Sequence, residues 1–103
     1  MLALNSKKMI MQRIKAIISG RVQGVGFRYF VQEKALKTGI KGYVKNMPGG
    51  NVEIDAEGEK ESLDQFLKIC RQGPPASRVE SFILHDVPVY GYTRFRIKHC
   101  DDV

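Results

Sequence analysis

Residues 42–57 read GYVKNMPGGNVEIDAE. The second half alternates strictly, with Val52, Ile54 and Ala56 on one face of an extended chain and Asn51, Glu53, Asp55 and Glu57 on the other. This is the pattern of a strand with one buried and one solvated face. Residues 42–46 supply a shorter strand, and Pro48, Gly49 and Gly50 supply the turn between the two. A hairpin therefore sits in the middle of the chain, and its flanks decide the fold.

On the N-terminal side, FRYFVQEKALKT at 27–38 places Phe27, Val31, Ala35 and Thr38 on one helical face, with Phe30 beside it and Gly39 as the stop. Before it, RIKAIIS at 13–19 reads as a strand. On the C-terminal side, residues 59–72 carry Leu63, Phe66, Leu67 and Cys70 at i, i+3, i+4, i+7, and Gly73, Pro74 and Pro75 end that helix. Residues 79–85 read as a strand of unclear period. Residues 93–98 form a short alternating strand with Phe95 and Ile97 inward. The order is β-α-β-β-α-β with a short final strand. This is an α+β, ferredoxin-like split βαβ sandwich, an antiparallel sheet with two helices on one face. In this topology the first strand pairs antiparallel with the third, and the third with the second. The loop leaving the first strand and the residue ending the second then meet at one edge. GRVQGVGFR at 20–28 and Asn46 are predicted neighbours.

A chain of 103 residues suits one domain, placed at 12–100. Residues 1–11 read as a disordered leader, because the regular pattern begins near Arg13. Lys7, Lys8, Gln12, Arg13 and Lys15 interrupt any signal-peptide core, and no stretch approaches the ~20 apolar residues of a membrane span. Cys70 and Cys100 lack metal-ligand spacing, and a reduced cytoplasmic protein is the simplest reading. The net charge of +6 favours an anionic partner without specifying one.

The glycine loop at 20–28 precedes a helix, whose first turn offers free N–H groups and a positive dipole end. Arg28 falls in that turn, where a cation opposes the dipole unless an anion lies between them. A phosphate-like group answers both features; a plain strand-to-helix turn is the competing reading. The spacing G-x-x-x-G-x-G is not that of a nucleotide-binding loop.

GRVQGVGFR at 20–28 and GYVKNMPGGNVE at 42–53 resemble the two signature stretches of acylphosphatases. The resemblance extends to AEG at 56–58 and GPPASRVES at 73–81 and covers residues 13–98. It departs mildly at Tyr43, where a tryptophan is common, and at Thr38, where a larger apolar residue is common. The resemblance implies hydrolysis of acyl phosphates to a carboxylate and inorganic phosphate, without metal or cofactor. It matches Arg28 to the phosphate-binding arginine and Asn46 to the asparagine that positions water. The backbone of Gln23, Gly24, Val25, Gly26, Phe27 and Arg28 would complete a phosphate cradle. The expected partners are the acyl phosphate and its phosphate product, bound by a monomer, with no nucleic acid and no membrane.

Such a site needs no general acid. The leaving carboxylate has a conjugate acid of pKa about 4, so it departs unassisted. Charge stabilisation at the phosphoryl oxygens and alignment of one water remain. His85 and His99 have no evident catalytic company, Cys70 reads as core packing, and Asn46 alone would read as turn chemistry. Two other readings share the fold. An RNA-binding module is disfavoured by the acids of NVEIDAE, expected to face the ligand. A phosphate-binding domain without turnover, as begins the larger carbamoyl-transfer enzymes of hydrogenase maturation, is the nearer alternative.

Overall fold

The computed structural model describes residues 9–99. Residues 1–8 of the expected leader and Cys100 lie outside the described residues. The elements are β1 (Met11–Arg21), α1 (Phe27–Thr38), β2 (Lys41–Asn46), β3 (Val52–Glu59), α2 (Lys60–Gln72), β4 (Arg78–Val87) and β5 (Phe95–Lys98). Met11, expected in the leader, belongs to β1 because it pairs with Glu59, and the Lys60 N–H donates to the Ile10 carbonyl at 2.9 Å.

The sheet order is β4-β1-β3-β2-β5. The β1–β3, β1–β4 and β2–β3 pairings are antiparallel, as the split βαβ reading requires. The short β5 adds one parallel edge beside β2, which makes the sheet mixed. Among the described residues, no helix is long and apolar enough to cross a membrane.

One face of the sheet meets both helices. Ile14, Ala16 and Ile18 of β1 lie in register with Ala56, Ile54 and Val52 of β3, and all six are buried. Over them pack Phe27, Val31 and Ala35 of α1 and Leu63, Phe66, Leu67 and Cys70 of α2. Those are the faces that helical spacing marks in the sequence. Phe66 meets Phe95 edge-on, with ring centroids 6.0 Å apart. Burial pushes the Cys70 thiol well above its ordinary pKa, which suits a packing role and not a nucleophilic one.

The other face departs from expectation. The alternation of β3 places its acids toward solvent, yet Asp55 and Glu57 are buried, at 0% and 3% exposure. The chain after β4 folds back across them. Arg13 binds Asp55 in a two-pronged pair, Nε to Oδ1 at 2.8 Å and Nη2 to Oδ2 at 2.7 Å. Its Nη1 donates to the Pro88 carbonyl at 3.0 Å. Glu57 accepts the N–H groups of Tyr90, at 2.7 Å, and of Gly91, at 2.9 Å. Tyr90 and Tyr92 flank the Arg13 guanidinium, 5.5 and 5.6 Å from their ring centres. The paired carboxylate holds the Arg13 pKa above its ordinary value. A buried carboxylate is costly unless its charge is met; Asp55 is paired with Arg13, and Glu57 is held by backbone N–H groups.

This pairing makes a testable difference between two cations that both face Asp55. Lys15 lies 4.0 Å from Asp55 and its side chain is 38% exposed, against 2.7 Å and 16% for Arg13. In urea unfolding at neutral pH, Arg13→Ala should lower stability by about 3 kcal/mol, because it strands the buried Asp55 carboxylate. Lys15→Ala should lower it by less than about 1 kcal/mol. Equal small losses would show that the Arg13 pair does not organise this face.

Candidate active site

The connection from β1 to α1 is pinned at both ends. Val22 and Phe27 are each 1% exposed and belong to the core, so the residues between them are held at the protein surface by buried anchors. Gly24 and Gly26 have φ of 73° and 78°, the left-handed region that favours glycine. A Cβ on either would meet nothing within 4 Å, so backbone conformation and not crowding requires glycine there. Gly20 is different. It lies inside β1 at a register shift, where a Cβ would meet the Arg78 carbonyl oxygen at 2.1 Å.

Gly26 precedes α1 without any side-chain cap, and no acidic residue occupies the first turn. In α2, by contrast, the Glu59 carboxylate caps the helix by accepting the Glu61 N–H at 3.0 Å. The opening turn of α1 therefore presents uncompensated positive potential, and Arg28 stands in it, half-buried.

Asn46 comes to this turn through the sheet. It is the last residue of β2 and pairs with Val52, while Val52 pairs with Ile18 of β1. Its side chain is on the helix side of the sheet, the side of Val44 and Val52. A cavity of about 190 Å³ results, walled by Val22, Gly24, Gly26, Phe27, Arg28, Tyr29 and Asn46. The loop and Asn46, separated in sequence by a helix, share one cavity as the topology predicts. No carboxylate lines it. The Asn46 Oδ1 is buried and makes no hydrogen bond within the described residues. An amide oxygen so placed favours a donor supplied from the cavity.

Four of the expected cradle residues, Gly24, Gly26, Phe27 and Arg28, line the cavity together with Asn46; Gln23 and Val25 do not. Val25 packs against the core. Gln23 does something that its position in the loop does not announce. Its side-chain Nε2 donates to the carbonyls of Met47, at 2.9 Å, and Asn51, at 2.8 Å. One amide thus spans the two ends of the β2–β3 turn and ties them to the loop. Neither His85 nor His99 borders the cavity. Among the described residues, no group of His, Cys, Asp and Glu is arranged to hold a metal ion.

The family model of acylphosphatases matches residues 14–97. An acylphosphatase of Bacillus pumilus is 50% identical over 84 residues, which span 81% of this chain and 93% of that protein. The crystal structure of acylphosphatase from Bacillus subtilis superposes with a TM-score of 0.82 at 41% identity, covering 86% of this chain and 99% of that one. Full-length HypF, solved in a phosphate- and nucleotide-bound form, has a TM-score of 0.83 at 34% identity, over 91% of this chain but 12% of HypF. With both signature stretches, the split βαβ topology and these relatives in agreement, the chain belongs to the acylphosphatase family.

Proposed function

We propose that the chain hydrolyses acyl phosphates, the mixed anhydrides of a carboxylic and a phosphoric acid, to a carboxylate and inorganic phosphate. Family membership supports the reaction class. The observation that carries the mechanism is the buried, unpartnered Asn46 Oδ1 in the same cavity as Arg28 and the uncapped end of α1.

In this reading, Arg28 and the N–H groups opening α1 hold the phosphoryl oxygens, where negative charge concentrates in the transition state. The guanidinium offers two parallel donors to two such oxygens. Asn46 Oδ1 accepts a hydrogen bond from water and turns its lone pair toward phosphorus, opposite the acyl oxygen. The water oxygen bonds to phosphorus, the bond from phosphorus to the acyl oxygen breaks, and the carboxylate leaves with the electron pair. The water proton passes to a phosphoryl oxygen. No protein acid is required, because the leaving group is already stable as an anion near neutral pH. Neither a metal nor a cofactor has a part in the scheme.

Gln23 acts through Asn46. By gripping the carbonyls of Met47 and Asn51, it keeps the end of β2 at a constant distance from the loop. It is a positioning residue, not a catalytic one. The match to a small part of HypF favours one second reading, a domain that binds phosphate without turnover.

The decisive assay is phosphate release from acetyl phosphate in excess EDTA. Metal-independent turnover is expected for the wild-type protein. Arg28→Ala should lose turnover and inhibition by inorganic phosphate together. Asn46→Ala should lower kcat by about 100-fold or more while phosphate inhibition changes by only a few-fold. Near-normal turnover in Asn46→Ala would remove the asparagine from the mechanism, and folded wild-type protein that binds phosphate without releasing it would favour the binding domain. Gln23→Ala should lower kcat by about 10-fold, with KM and phosphate inhibition little changed. Gln23→Glu, which places an acceptor against two carbonyls, should do no better. A loss of thermal stability with kcat intact would make Gln23 merely structural.

A further inference from the structure

The face of the sheet opposite the helices bears a second, larger cavity of about 380 Å³, which shares no wall with the first. Strand register places its residues. Phe95 pairs with Gly42 and Ile97 with Val44, turned toward the helices, so Tyr43, Arg96 and Lys98 project from the other face. Tyr90, Tyr92 and Arg94, from the chain that folds back between β4 and β5, complete the walls.

The backbone of the fold-back segment is fixed before any ligand arrives. Glu57 holds the backbone of Tyr90 and Gly91, Arg13 holds Pro88, and the Gly42 N–H holds the Arg94 carbonyl at 2.9 Å. Phe95, next to Arg94, is buried at 5% exposure. Binding would then order side chains but not the backbone that carries them.

The charge in this cavity is unbalanced. The carboxylates of the same face are already engaged: Asp55 by Arg13, Glu57 by backbone N–H groups, and Glu53 by the Tyr43 hydroxyl at 3.0 Å and by Lys45 at 3.9 Å. No carboxylate lines the cavity. Among the described residues, Arg94, Arg96 and Lys98 enter no ion pair. Cations gathered around one concavity repel one another unless an anion lies among them.

The aromatic rings add a second preference. Tyr90 is 69% exposed, an expensive place for a large ring, and leans on Tyr92 at a tilt of 43° with centroids 4.6 Å apart. Tyr92 in turn meets Tyr43 edge-on at 6.3 Å, while the Lys98 ammonium lies 4.4 Å from the centre of the Tyr43 ring. A planar ring laid on Tyr90 would keep a phosphate within reach of the guanidinium groups, and the volume lies within the usual range for small-molecule sites.

We propose that this cavity is a binding site for a nucleoside phosphate, with the base stacked on Tyr90 and the phosphate held by Arg94, Arg96 and Lys98. The site is independent of the phosphate cradle and does not rest on the proposed hydrolysis. It is tested by titrating adenosine and guanosine 5′-monophosphates into nitrogen-15-labelled protein. Inorganic phosphate and adenosine serve as separate probes of the two halves.

One of the nucleotides should move the amide signals of residues 90–98 and bind at least ~5-fold more tightly there than phosphate or adenosine alone. The Arg94→Ala/Arg96→Ala double variant, altered only at exposed side chains, should weaken that binding by ~10-fold or more. Its acetyl phosphate hydrolysis should stay within twofold of wild type. Tyr90→Leu should abolish the preference for nucleotide over phosphate. Shifts confined to the 22–28 loop and Asn46, no binding of either nucleotide at millimolar concentration, or phosphate binding as tightly as the nucleotides would each overturn the proposal.

Discussion

Val52 sits between two strands, opposite Ile18 of β1 on one side and opposite Asn46 of β2 on the other. Adjacent strands lie about 4.8 Å apart, so this single register brings the end of β1 and the end of β2 within roughly two strand spacings of each other. The site follows from it. A one-residue slip between β2 and β3 would turn Asn46 to the opposite face and the cavity would lose its amide oxygen. Val44, fully buried on the helix side of β2, guards against that slip, because it would move Val44 to the opposite face and turn Tyr43 and Lys45 toward the core.

The acidic row is itself the reason that the second face is built as it is. With Asp55 buried, the β3 backbone cannot be covered by apolar chain alone. Arg13 answers with a geometry that matches the carboxylate at two points, then uses its remaining nitrogen to catch the Pro88 carbonyl. Folding the 88–92 segment over the sheet thus depends on an ion pair laid down by β1 and β3. The apolar core on one face and the polar network on the other are joined through the same pairing of strands.

Much of this was legible in the residues. Leu63, Phe66, Leu67 and Cys70 follow a local period, and α2 buries those four. The order of elements sufficed to place Asn46 beside the glycine loop, because topology is read from succession and not from distance. What escaped were interactions between residues far apart in sequence. Asp55 looks like a solvated acid in its own strand, since the arginine that neutralises it is 42 positions away. Gln23 reads as a backbone contributor to the cradle, and its side-chain partners at 47 and 51 are identifiable only once the hairpin has been docked. The parallel β5 edge is four residues long, too short to declare a direction by pattern.

The uncapped start of α1 has a consequence for folding. Most helices close their first turn with a side chain, as α2 does with Glu59; α1 has none, and carries an arginine in that turn. An anion seated there, on the reading of the site given above, serves as the missing cap. The native state would then bind phosphate and the unfolded chain would not, which by mass action shifts the folding equilibrium toward the native state. On that reading the product of the reaction is also a ligand of the fold, and the phosphate concentration around the protein would set part of its thermal stability.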